Sequence, residues 1–195
     1  RARNEASGIS RRRITMKYVC LICFMSCVFL CCAFGIDTKQ TMEFDGETYT
    51  LAFSNKLPSG VLTDKYLRAG ESVRQWEKMI TIQYNPALAD PVKAAVDLGA
   101  VLESQYPQAE YSIRRFEEKS EAMLYFLVWS GKDQPVAEFN IYRYLKYGNA
   151  PGLMVYQFSF TRLGLSMQDF KNIVEVHKQK WVDLMTEAEF ALVAK

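Results

Sequence analysis

Ala122-Met123-Leu124-Tyr125-Phe126-Leu127-Val128-Trp129-Ser130 is the run that decides the fold. At the two-residue period of a β-strand, Met123, Tyr125, Leu127 and Trp129 fall on one face. Leu124, Phe126 and Val128 fall on the other, and both sets are apolar. A strand with one wet face alternates apolar with polar residues. A strand dry on both sides is expected at the centre of a sheet covered twice. Something must therefore lie on each face.

The neighbouring sequence supplies the partners. Glu110–Glu118, Pro135–Tyr147 and Leu153–Leu163 also read as strands. Lys119-Ser120, Gly131-Lys132-Asp133 and Gly148–Gly152 separate them, and these are turn residues. Connections this short predict an antiparallel meander. The last helix offers one cover: Ser166 and Asp169 have capping-box spacing, and Phe170, Ile173, Val174, His177, Trp181 and Leu184 recur at helical spacing. Lys171, Glu175, Lys178 and Gln179 point away. Thr186–Lys195 reads as a short helix or a docked tail.

The other cover lies upstream. Asp90-Pro91 is a strong helix start, and Val92, Ala95, Val96, Gly99 and Leu102 keep one apolar face through Ser104. Gly99 inside a helix costs about 1 kcal/mol against Ala, which a close approach to the sheet would explain. Before it come a hairpin over Thr41–Phe53 turning at Asp45-Gly46, an extended run Val61–Arg68, and a strand Met79–Tyr84. Gly70–Trp76 is expected to form a short helical turn with Ser72 as its N-cap. The whole predicts the α+β class: an antiparallel β-sheet meander flanked by helices.

In element order, residues 41–185 resemble the Mog1/PsbP-like architecture, whose exported bacterial members include the DcrB-like lipoproteins. A narrower stretch, Tyr66-Leu67-Arg68-Ala69-Gly70-Glu71-Ser72 with Trp76 and Met79-Ile80-Thr81, is similar to a segment of uncharacterised exported bacterial proteins. The resemblance implies a binding or assembly role and carries no catalytic residues. Fold alone is a weak guide to function.

All five cysteines lie between Cys20 and Cys32, inside the apolar run Tyr18–Gly35. Lys17 and Arg11–Arg13 precede it, and Ala33 and Gly35 suit a cleavage site. The run reads as an export signal. An uncleaved anchor and lipid attachment at a cysteine are the alternatives, since about 20 residues span a bilayer. Residues 1–15 read as translation upstream of a start at Met16. The expected organisation is a leader over 1–35 and one α+β domain over 36–195, placed in the periplasm or cell envelope. Any membrane attachment would come through the leader alone.

Six of the 24 Lys+Arg and one of the 22 Asp+Glu belong to residues 1–35. The remainder holds 18 basic and 21 acidic residues, so nucleic acid is not an expected partner. Without cysteines the domain has no disulfides and must fold on an ordinary core.

No catalytic set is expected. His177 is the only histidine and reads as part of a packed helix face. One histidine without cysteines leaves no zinc ligand set, no calcium loop is present, and no metal or cofactor is expected. Glu117-Glu118 reads as a solvated turn. The candidate partner-binding residues are Trp76 and the band Tyr142, Tyr144 and Tyr147, interleaved with Arg143 and Lys146, because Tyr, Trp and Arg are favoured at interfaces. The expectation is a non-enzymatic, exported protein-binding or accessory domain, such as an assembly factor or immunity-type protein. An envelope hydrolase using carboxylates, or a small-ligand or lipid-binding module, is the alternative.

Overall fold

The computed structural model describes residues 40–130 and 136–192. The leader reading and the Gly131-Lys132-Asp133 turn lie outside the described residues.

The hairpin forms as predicted. β1 (Thr41–Phe44) and β2 (Glu47–Lys56) turn at Asp45 and Gly46, whose φ values of 55° and 75° suit a type I′ turn. β3 (Leu62–Arg68) and β4 (Lys78–Asn85) extend it to four strands. α1 (Pro91–Gln105) starts where Asp90 accepts a hydrogen bond from Lys93 N at 2.9 Å. β5 (Glu110–Phe116), β6 (Glu121–Ser130), β7 (Val136–Lys146) and β8 (Leu153–Leu163) form a second meander. α2 (Met167–Glu187) begins at Ser166, whose Oγ accepts from Asp169 N at 3.1 Å.

The two meanders join along β4 and β8. The result is one antiparallel sheet in the order β1-β2-β3-β4-β8-β7-β6-β5 with two helices, an α+β fold. β6 is therefore not central but second from an edge. It is dry on both faces because each face carries packed residues there, not because it lies mid-sheet. Gly70–Trp76 also departs from expectation: Ser72 and Gln75 pair across a tight turn in place of a helical one.

Register assigns the faces. Phe139 lies opposite Leu127, and both pack in the core with Phe158, Phe160, Phe170, Val174 and Trp181. Tyr111 lies opposite Phe126 on the other face, where a Cβ at Gly99 would stand 3.1 Å from the Tyr111 ring. So α2 covers one face and α1 the other, and Gly99 does mark a close approach.

The sheet curls around α2. Three strands separate β1 from β8, about 19 Å if flat. Yet the rings of Phe44 and Phe158 are 5.0 Å apart. A register shift in β2 between Leu51 and Phe53 introduces the bend. The tail docks in the same hollow: Phe190 packs on Tyr156 at 5.1 Å, and Tyr156 OH donates to Phe190 O at 2.9 Å. The α1 face holds a polar row absent from the sequence reading. There Gln157 Nε2 and Ser159 Oγ both donate to Asn140 Oδ1, at 3.2 and 2.6 Å.

Candidate partner-binding surface

Tyr142 and Tyr144 share the α1 face of β7, their rings stacked 6.2 Å apart, and Tyr142 also stacks on Phe126 at 5.7 Å. Tyr144 is buried, and burial pushes its phenol pKa up. Tyr142 is half-buried. Arg143 points to the opposite face, as strand alternation requires. There it is buried, with Nε 2.9 Å from Glu121 Oε2 and Nη1 donating to Met185 O and Ala188 O at 3.1 and 2.7 Å. The interleaved Arg therefore ties down the end of α2 and shares no surface with the tyrosines.

Tyr147 is placed differently. It is 51% exposed, at the mouth of the β7–β8 loop, with the Tyr84 ring behind it at 5.6 Å. The loop is pinned. Tyr84 OH donates to Pro151 O, and Ala150 N donates to Tyr147 O at 3.0 Å. Gly152, at φ +98°, lies so close to the β4 end that a Cβ would stand 2.6 Å from Asn85 O and Pro86 Cα. A rigid loop presenting an aromatic ring loses little entropy on binding. The sequence reading missed Tyr84 and Gly152 as supports; their only signals were turn residues at both loops.

Trp76 is half-buried and precedes β4 at its opposite end. The eight residues of β4 separate it from the Tyr84–Tyr147 pair by about 26 Å. The four expected residues thus fall in three places.

A charged cluster fills the end near Trp76. Lys78 Nζ bridges Asp45 and Glu47 at 3.2 and 2.5 Å, and Lys180 lies 2.5 Å from Asp45. Trp181 Nε1 donates to Asp45 Oδ2 at 2.8 Å. Arg68 meets Glu47, Glu71 and Glu77 at 2.8, 2.6 and 3.4 Å, and Glu71 also accepts from the backbone of Glu77. Burial works to raise the pKa of Asp45, Glu47 and Glu71, but these partners outweigh it and hold each below its ordinary value. His177, expected inside the packed face, is instead exposed, its ring stacked on Trp181 at 5.2 Å. Glu117 and Glu118 are exposed, in a single 3-10 turn. Among the described residues no group of three or more His, Cys, Asp or Glu could hold a metal ion, and no helix is long and apolar enough to cross a membrane.

An antiparallel sheet with a helix on each face and an aromatic loop at one end defines the class, and comparison supplies the family. A family profile matches residues 36–190, and the chain belongs to that uncharacterised family. No curated protein and no solved structure matches it.

Proposed function

We propose that residues 36–195 form a non-enzymatic protein-binding domain of the bacterial envelope, exported by the leader, in an assembly or immunity-type role. The Mog1/PsbP-like and DcrB-like resemblance belongs to this proposal and agrees with it. The observation that carries it is Tyr147, half exposed on a loop pinned from behind by Tyr84 and by the close approach of Gly152 to Asn85 and Pro86. Such a ring is suited to anchor a partner.

Two observations weigh against the alternatives. A carboxylate hydrolase needs one carboxyl with a raised pKa as its acid. Of the carboxylates that converge, Asp45, Glu47 and Glu71 are shifted the other way and committed to cations. A lipid or small-ligand module needs room between sheet and helix. Under α2, Phe139, Phe158 and Phe160 lie 6.0, 5.2 and 5.1 Å from the Trp181 ring, filling the space on that face.

The test is affinity capture from the native envelope with residues 36–195, wild type and Tyr147→Ala side by side, read by quantitative mass spectrometry. A discrete protein retained by wild type and lost by the variant, with the melting temperature unchanged, is the expected result. Equal recovery by both removes the role given to Tyr147. Recovery of no protein by either removes the proposed function.

A further inference from the structure

The two sheet edges are unequal. β1 is four residues long, while β5 runs seven residues, with an unbroken ladder to β6 on one side. Among the described residues no strand lies on its other side. A straight edge of this length, without proline or bulge, is a template for another strand.

We propose that β5 pairs with β5 of a second copy of this chain, in the antiparallel register centred on Ser112. A two-fold axis normal to the sheet carries each residue onto one pointing to the same side. The axis must therefore pass midway between a residue and its own copy, and Ser112 or Ile113 lies nearest the middle of the strand. Centring on Ile113 would set Glu110 against Phe116 and Ser112 against Arg114, with no charge matched. Centring on Ser112 sets Glu110 against Arg114 twice and Tyr111 against Ile113 twice, with Ser112 facing itself. Charges on an edge ordinarily keep copies apart; in this order they select one register.

Each face of the sheet agrees with that register. On the α2 face, Glu110 already receives Lys171 Nζ at 2.5 Å, and Arg114 lies over the Tyr125 ring at 5.8 Å. Both side chains are exposed and lie on one row of the strand. On the α1 face, Tyr111 hydrogen-bonds Glu103 at 2.5 Å and touches Gly99, so the flank of α1 carrying those residues overhangs β5. Val96 lies on the same flank, three residues before Gly99 and seven before Glu103, and is 43% exposed. In the dimer α1 and its copy stand three strand spacings apart, about 14 Å. Tyr111, Ile113 and Val96 from both copies occupy that gap. The occupant is thus a second copy, matched in charge on one face and in apolar surface on the other.

The inference stands apart from the function assigned to Tyr147, which lies on the loop between β7 and β8, and it has its own test. Residues 36–195 hold the sheet, both helices and the core in one compact unit and contain no cysteine. Sedimentation velocity at tens to hundreds of micromolar should give a dimer. Arg114→Glu or Glu110→Arg alone sets like charges opposite twice and should weaken the dimer by about tenfold or more. The combined Glu110→Arg, Arg114→Glu protein restores both pairs and should dimerise again. Ser112→Cys, the only thiol present, should be joined to its copy by a short bis-maleimide, and the added Arg114→Glu should abolish this. A wild type that stays monomeric overturns the proposal. So does a dimer indifferent to both charge reversals, or a combined variant no tighter than the single ones. Circular dichroism checks that each variant is folded.

Discussion

At Gly152 the backbone has φ +98°, and a Cβ would stand 2.6 Å from both Asn85 O and Pro86 Cα. Both obstacles are main-chain atoms, so no side chain can swing away to make room. Gly152→Ala is therefore expected to destabilise the domain by about 2–4 kcal/mol, combining overpacking with left-handed strain. Gly99 offers the contrast. Its Cβ would meet the Tyr111 ring at 3.1 Å, but that ring belongs to a half-exposed side chain at a sheet edge. Alanine there also regains about 1 kcal/mol of helix propensity. Gly99→Ala should fall within about 1 kcal/mol of wild type, because small repacking and propensity oppose each other. Urea denaturation of the two variants separates them, and equal losses would refute the distinction between backbone and side-chain obstacles.

At the scale of elements, α2 depends on a residue from across the sheet. The carbonyl of Met185 in its last turn and that of Ala188, which caps it, receive Arg143 Nη1, and the same guanidinium holds Glu121. The Arg143 and Glu121 side chains are only 6% and 12% exposed. Arg143→Met strands a buried carboxylate and is expected to cost about 3–5 kcal/mol. Adding Glu121→Gln removes that charge and should recover a large part of the loss in urea denaturation. No recovery would mean that Arg143 acts through the helix end alone. This junction also marks where the sequence stopped being legible. Periodicity and caps located every strand and both helices, because Asp45-Gly46, Asp90-Pro91 and Ser166 act on their nearest neighbours. They could not say that β4 meets β8, which joins residues roughly 75 positions apart. They therefore misplaced β6 at the centre. Alternation does send Arg143 to the face opposite the tyrosines, but it could not reveal that Glu121 and the end of α2 wait there. His177 followed the helical period yet lies beyond the rim of the covered stripe, stacked on the Trp181 that the stripe does bury. Of the site residues, Tyr147 was legible as an interface type. Of its supports, Gly152 lies in the same loop, but Tyr84 and the Asn85 and Pro86 backbone that Gly152 meets come from the end of β4, distant in sequence.

At the scale of the whole molecule, the curl of the sheet has to be fastened. The clasp is the cluster at Asp45, which links the β1–β2 turn to β4 through Lys78 and to α2 through Lys180 and Trp181. Glu47 and Arg68 carry it on to Glu71 and the turn before β4. Burial opposes ionisation of Asp45, Glu47 and Glu71, but their cationic and hydrogen-bond partners win, so each folded-state pKa is below its unfolded value. Near pH 4 the unfolded chain therefore binds more protons than the native one, and stability rises with pH. The contribution is complete above about pH 5 and is lost as pH falls through the unfolded and then the folded pKa values. Asp45→Asn keeps an oxygen for Trp181 Nε1 but gives up the attraction to Lys78 and Lys180. It should be less stable than wild type at neutral pH and should lose less on acidification, so the two stability curves converge toward about pH 3. Urea denaturation across that range, followed by tryptophan fluorescence, measures both curves. Parallel curves, with the variant weaker by the same amount at every pH, would show that Asp45 fastens the hairpin by packing and not by charge.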